Sequence, residues 1–473
     1  MRIFSYLCRV FEDTETKRLN NKLFNKSFMA NLIKLCHGLD INLAGKAAAE
    51  VVPAKSSAVY GLVPDAFEGM KPKVVVKEGD VVKAGDALFV DKKHPEVKFA
   101  SPVSGKVLLV ERGERRKVLS VQVEADAQTV YAEFAKGIPA DGKTVLKALL
   151  DSGLFGYFLQ RPYAVTANPE DCPKAIFVSG FSDMPLAADF EFVVKDQLDV
   201  FQTGIDALAK MAKVYLGVKP GSVLEGVKNA EVTVFKGKCP AGNVGVQINH
   251  ISPVNKGEVV WTLGAEEVLF VGRLFKEGRV DLTRTLAVAG SEVKKPHYVK
   301  AVVGAKIGDI LADNVKSDCK VRIIDGNPLT GMKTSTDAFL GAHSTEVTVI
   351  PEGDDTHELF GWISPRLKEF SVSRSYFSWL MPKKEGYVLD ARVKGGHRHM
   401  IFSGEYDKVF PMDIYPEQLV KAIIAGDIDR MEALGIYEVA PEDFAVAEFV
   451  DSSKVELQRI VREGLDMLRK ENE

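Results

Sequence analysis

The chain has 473 residues, 46% hydrophobic and 27% charged, with 62 Lys+Arg against 65 Asp+Glu and a formal net charge of -3. That composition excludes a disordered or collagen-like chain and supports three or four domains of about 100–200 residues each. The balanced charge weighs against nucleic acid as a partner. No run reaches the roughly 18 uncharged apolar residues that a spanning helix needs, so any membrane role is peripheral.

Residues 1–28 carry six Lys/Arg, and their apolar stretch from Met1 to Phe11 is broken by Arg2 and Arg9, unlike a signal-peptide core. They read as an N-terminal extension, expected to be disordered, or as an upstream start ahead of Met29. From Val74, β-branched runs alternate with turns at Gly79-Asp80, Gly85-Asp86 and Gly105-Lys106. With Val82, Leu88 and Ala100-Ser101-Pro102, this spacing resembles the barrel-sandwich hybrid of biotinyl and lipoyl carrier domains, assigned to 29–135. The hairpin tip reads Asp91-Lys92-Lys93-His94-Pro95 with no methionine beside the lysines. It points to a carrier fold kept as a scaffold without a prosthetic group.

A helix is expected over Thr144–Gln160, a buried strand over Ala175–Gly180, a helix over Asp196–Ala212 and a strand over Ala230–Gly237. Strand, helix and strand at these lengths predict a βαβ, Rossmann-like layer over 136–275. Val280–Asp313 reads as a hairpin followed by a short helix from Lys306, a β-grasp (SLBB-like) domain over 276–350. Residues 351–473 are mixed and then helical, with amphipathic stretches from Pro416 and from Lys454. The fold class is α+β multidomain.

Gly137–Thr144 satisfies the P-loop pattern G-x-x-x-x-G-K-S/T, but Glu133 and Lys136 stand where a central strand is apolar, and Pro139 removes an N–H from the cradle. A loop in which Asp141 caps the following helix is the simpler reading, and it disfavours a nucleotide-dependent enzyme. Gly237, Gly242 and Gly245 are too loosely spaced for a dinucleotide turn. His397 and His399 would share one side of a strand, two ligands without a third. Cys8, Cys36, Cys172, Cys239 and Cys319 form no CxxC pair, so neither a cluster nor a zinc site begins here. No nucleophile elbow occurs, and no catalytic residue or metal ligand is assigned. Leu154–Tyr163 sets four aromatics beside Arg161 at the expected helix end, a grouping that suits core packing or a flat ring bearing carbonyl oxygens.

Several blocks carry a family likeness: IKLCHGLDINLAGK from Ile33, SGLFGYFLQRPY, AIFVSGFSDMPLAAD, VGRLFKEGRV, VAGSEVKKP, VIPEGDDTHELFGW, SGEYDKVFPMDIYP and ALGIYEVAPEDFAVAEFVD. In this order they resemble NqrA, the first of the subunits of the bacterial sodium-translocating NADH:quinone reductase, from Met29 to the C-terminus. The resemblance implies a peripheral subunit on the cytoplasmic face of the inner membrane, in a six-subunit pump that passes electrons from NADH to quinone and exports Na⁺. It implies five partner subunits, at least one of them in the membrane. FAD, FMN, riboflavin and Fe–S centres belong to those partners, and this chain holds none. The related RnfC protein, like the NADH-binding subunit of respiratory complex I, carries cysteine-rich cluster motifs, which are missing here. Many members of the family have a cysteine after the EFV block, where this chain has Asp451-Ser452-Ser453. Quinone is the expected ligand, with Phe158, Arg161 and Tyr163 as candidate contacts and Phe67 and Met70 as an apolar partner. The competing reading is a structural scaffold subunit of a related, Rnf-like complex.

Overall fold

The computed structural model describes residues 31–472 apart from 317, 355–362, 364, 368, 373–375 and 382–385; the extension at 1–28 lies outside the described residues. The first module is the expected β-sandwich. One sheet runs Val59–Leu62, Val118–Ala125, Gly105–Arg112, Val81–Val82, and the other Pro72–Val74, Ala87–Asp91, Lys98–Ala100. Their inner faces bury Leu88, Phe89, Phe99, Val107, Val121 and Val123. The Gly-Asp turns close as the sequence suggests, with Asp80 and Asp86 carboxylates accepting the Lys77 and Lys83 N–H groups at 2.8 and 2.7 Å. Lys92 and Lys93 occupy the turn between Ala87–Asp91 and Lys98–Ala100. Intact mass of the purified chain is expected at the unmodified 51.9 kDa; an added biotinyl or lipoyl group would overturn the scaffold reading of this turn.

The second module is a seven-stranded sheet in the order Asn31–Lys34, Glu231–Lys236, Val214–Val218, Ile176–Ser179, Val260–Gly264, Leu159–Arg161, Val165–Thr166. The five strands from Asn31–Lys34 to Val260–Gly264 are parallel, and the last two are antiparallel. Helices Leu198–Met211 and Ala265–Glu277 pack at close range through glycines. A Cβ at Gly204 would lie 2.3 Å from Val268 O, and one at Gly272 2.0 Å from Val200 O.

One expected element is shorter than its spacing suggests. The helix from Thr144 is Gly142–Asp151, and it stops at Ser152 and Gly153, where φ is +74°. Beyond a short turn, Leu159–Arg161 is a strand hydrogen-bonded to Val260–Thr262. The helical fit of the aromatics therefore gave way to sheet pairing about 100 residues away in sequence.

The third module has the expected hairpin, Thr283–Ala289 with His297–Val302, followed by helix Ile307–Leu311 with Lys306 at its N-cap. Its sheet is completed by Glu346–Pro351, Val321–Asp325, Met332–Thr334 and, at the other edge, Val51–Pro53. The entry segment thus donates one edge strand to the α/β sheet and another to this sheet. A single apolar core runs through all three modules. From Glu352 to Tyr415 the described residues hold no α-helix and no strand longer than an isolated bridge. The tail is helical: Pro416–Ala425, Ile428–Ala433, Ala445–Val450 and Leu457–Asn472, the last burying Leu457, Ile460, Val461, Gly464, Leu465 and Leu468 at helical spacing. Among the described residues no helix is long and apolar enough to cross a membrane.

Candidate functional site

From Ile176–Ser179 the chain runs outward through Val214–Val218 and Glu231–Lys236, then returns to place Val260–Gly264 on the opposite side of Ile176–Ser179. Ile176–Ser179 leaves through helix Leu198–Met211 to Val214–Val218, whereas Val260–Gly264 runs into helix Ala265–Glu277, which leads out of this sheet to the third module. A crevice opens beyond their carboxyl ends, the place where open α/β sheets bind ligands. A cavity of about 360 Å³ lies there. Tyr157, Leu159, Phe181, Phe190, Val193 and Leu263 give it apolar walls, and Ser179, Asn243, Thr262 and Glu266 are polar. His343 and Thr345 reach it from the third module and Glu442 from the helical tail. Ser179 Oγ donates toward Gly242 O at 2.7 Å and Phe181 O at 2.9 Å and accepts from Gln247 Nε2 at 2.8 Å. That network ties the two loops at the rim together.

Helix Ala265–Glu277 springs from the end of its strand with two adjacent acids in the first turn, where the helix dipole favours negative charge. Both are buried. Arg284 faces them from the third module, with Nη2 3.1 Å from Glu267 Oε1 and Nε 3.6 Å from Glu266 Oε2. Two further N–H groups donate, one from Nη2 to Ala342 O at 2.8 Å and one from Nη1 to Ser344 O at 2.6 Å. The two carboxyls diverge. Burial pushes Glu266 up to about 7, against a partial offset from Arg284 and with the charge of Glu267 adding to the rise. Burial acts on Glu267 too, but Arg284 and His343 outweigh it and hold that carboxyl at about 2. Near neutral pH the site therefore pairs a protonatable acid with a fixed carboxylate.

The sequence-named residues are divided among three places. Phe158 stacks on Phe155 at 5.3 Å in the core, and Phe67 sits behind the cavity, 5.5 Å from Tyr157 and 5.7 Å from His343 between ring centres. Neither lines the cavity. Arg161 is buried, donating to Glu442 at 2.6 Å and Asp443 at 3.4 Å. It orders the loop that brings Glu442 to the rim. Gln160, on the opposite face of the same strand, lines a second cavity of about 200 Å³ together with Tyr163 and Met70. Sequence reasoning missed Tyr157, Glu266, Glu267, Arg284 and His343. The local signals were the aromatic stretch Leu154–Tyr163 for Tyr157 and, for the two glutamates, their adjacency in TLGAEEVLF, where they precede the apolar run Val268–Val271 behind a strand.

The other motifs have structural roles. Asp141 caps its helix as expected, its carboxylate accepting from Thr144 N at 2.9 Å and Thr144 Oγ1 at 2.7 Å, while residues 132–136 form no strand. Gly245 lets the tail approach, since a Cβ there would lie 2.3 Å from Asp443 Oδ2. The strand expected at His397 and His399 does not form; the His397 ring bonds the Lys454 carbonyl at 2.9 Å, which fixes this loop against the tail instead of a strand partner.

Comparison with known proteins bears on this arrangement. Residues 33–126 match the NqrA N-terminal barrel-sandwich hybrid domain, 140–280 the NqrA second alpha/beta domain and 285–336 the NQRA C-terminal domain. The NqrA protein of the Na(+)-translocating NADH-quinone reductase from Neisseria meningitidis serogroup B is 34% identical over 449 residues, 93% of this chain and 100% of that protein. Its counterparts from Serratia proteamaculans and Vibrio vulnificus (strain YJ016) are 35% and 36% identical, again over 93% of this chain and all of theirs. A chain of an NAD+-reducing [NiFe]-hydrogenase overlaps 47% of this chain and 52% of its own at 15% identity, and its TM-score of 0.33 carries no argument. The relatives match along their whole length, with the modules in the same order, and the chain belongs to the NqrA family of Na⁺-translocating NADH-quinone reductase subunits.

Proposed function

We propose that the chain works as a peripheral subunit of a Na⁺-translocating NADH:quinone reductase on the cytoplasmic face of the membrane, assembling with five other subunits that hold the flavins and Fe–S centres. In this reading it binds quinone and carries no redox cofactor itself. The observation that carries it is the cavity at the strand-order reversal, apolar on several sides and lined by the α/β layer, the third module and the helical tail. Tyr157, Phe181 and Phe190 offer ring surfaces to a flat apolar head group. Glu266, protonated below about 7, has an O–H to donate to a quinone carbonyl. Phe67 backs this wall, Arg161 holds Glu442 at the rim, and Phe158 fills the core beneath.

Titration of a soluble quinone analogue into the purified chain tests this. Phe181→Ala is expected to weaken binding about tenfold, a loss of roughly 1.4 kcal/mol. Wild-type affinity should fall as pH rises through about 7, because the carboxyl loses its donor proton and turns a negative charge toward the carbonyl oxygen. Glu266→Gln should flatten that profile. Losses confined to Tyr163→Ala and Met70→Ala would move the ligand to the second cavity, and no saturable binding by the wild type would leave the scaffold role. A visible absorbance band retained by the isolated chain would contradict the absence of a cofactor.

A further inference from the structure

The hairpin tip of the first module meets the α/β layer at His94. Val97 N–H donates to His94 O at 2.9 Å and closes the turn, and the imidazole Nδ1 lies 3.7 Å from Glu96 Oε1. Glu170 reaches the same point from the loop that follows strand Val165–Thr166. Its N–H donates to Asn168 Oδ1 at 3.1 Å, and Asn168 N–H donates in turn to Gln160 Oε1 at 3.0 Å. One ligand atom from each of His94, Glu96 and Glu170 lies within 4.8 Å of the other two. Two carboxylates from different modules thus converge on one imidazole, and among the described residues no Lys or Arg pairs with either. Like charges brought together by folding repel unless a cation lies between them.

The second cavity adjoins this cluster, with His94 in its wall. Two polar groups of that wall have no partner among the described residues: Nε2 of Gln160, a residue only 8% exposed, and Oγ1 of Thr166. Buried polar groups left unmatched by the protein call for a ligand or water. One imidazole nitrogen with two carboxylate oxygens is a donor set for divalent ions of the zinc type, which take three protein ligands and keep a fourth position for water or a small anion. Mg²⁺ and Ca²⁺ prefer sets made wholly of oxygen. At metal–ligand bonds of about 2.1 Å, tetrahedral donors stand roughly 3.4 Å apart, a spacing that the exposed Glu96 and Glu170 side chains reach by a small swing. We propose that His94, Glu96 and Glu170 bind one divalent ion of the zinc type, which clamps the hairpin tip of the first module to the α/β layer and holds water or a small anion toward Gln160 and Thr166.

Calorimetric titration of Zn²⁺ into the metal-stripped full chain tests the site. Saturable binding is expected, tighter than that of Mg²⁺. His94→Ala and Glu170→Gln should each weaken it about tenfold or more, and Glu96→Gln should do the same. The exposed thiols Cys36, Cys172 and Cys319 are the competing donors. Cys172→Ser should therefore leave the affinity unchanged, and Co²⁺ in place of Zn²⁺ should show no thiolate charge-transfer band. Zn²⁺ should raise the urea midpoint of wild type and not that of His94→Ala. Without metal the variants should unfold at the wild-type midpoint, because all three side chains reach solvent. Wild-type affinity in His94→Ala, a thiolate band, or equal binding of Zn²⁺ and Mg²⁺ would overturn the proposal. So would a loss in His94→Ala with none in Glu170→Gln, which would leave the ion on the hairpin and join no modules.

Discussion

Replacing Arg284 by methionine is expected to lower the stability of the chain by about 3–5 kcal/mol, seen as a fall in the urea midpoint of tryptophan emission. The guanidinium is fully buried and is the cation shared by Glu266 and Glu267, so its removal leaves two acids buried without it. The loss should be larger at about pH 8 than at about pH 5. The sign follows from the two carboxyls separately. Glu266 has a folded pKa of about 7, above its usual 4.5, so its contribution is complete below 4.5 and is lost as pH rises through about 7. Glu267 sits at about 2, so its contribution is present above 4.5 and is lost only as pH falls toward 2. Without Arg284, ionising Glu266 costs more and the alkaline loss steepens. Adding Glu266→Gln to Arg284→Met should recover part of the stability at the higher pH and little at the lower. An unchanged midpoint at both pH values would show that the triad does not hold the third module to the α/β layer.

The second large effect is expected at Arg161→Met, again about 3–5 kcal/mol, because it removes the cation from a buried cluster. Asp443 is fully enclosed, and burial raises its carboxyl above the usual range against the pull of Arg161, with Glu442 adding to the rise. Without the guanidinium, its remaining support is the Ala440 N–H at 2.9 Å and the Asn243 Nδ2 at 3.3 Å. Since the folded carboxyl titrates above its unfolded value, its contribution is complete at low pH and drains away as pH rises through the folded value. The Arg161 variant should therefore be closest to wild type under acid conditions. The helical tail should loosen first, read as faster limited proteolysis within residues 416–472. Asp443→Asn added to Arg161→Met should restore part of the loss, and Arg161→Lys should lose less than Arg161→Met but stay below wild type, because one ammonium replaces two guanidinium nitrogens that reach separate carboxylates. If proteolysis of the tail is unaffected, the ion pair is not what joins the helical tail to the sheet.

Much of the fold is legible locally. Gly79-Asp80 and Gly85-Asp86 announce their turns because a short acidic side chain accepts a nearby backbone N–H. The hairpin of the third module and the helix after Lys306 follow from alternation and a change of period. Leu154–Tyr163 is not legible in this way. Its aromatics fit a helix, and only pairing with Val260–Thr262 makes Leu159–Arg161 a strand. Phe158 and Arg161 stand out in that stretch by residue type, yet Phe158 packs in the core and Arg161, on the same strand face as Leu159, is taken up by Glu442 and Asp443. The cavity instead takes Tyr157 and Leu159 from it, together with residues from Ser179 to Glu442.

The sequence by itself determined the family, the three β-containing modules and the helical tail, because turn chemistry, hydrophobic period and ordered blocks of residues are properties of neighbours along the chain. Tertiary structure alone decided that Asn31–Lys34 and Val51–Pro53 leave the first module for two other sheets, that Glu266 and Glu267 meet Arg284, and that Arg161 serves Glu442 and Asp443. Burial and ion pairing between distant residues depend on which surfaces are removed from water together. That is fixed only when the strand order reverses and the modules close over the crevice.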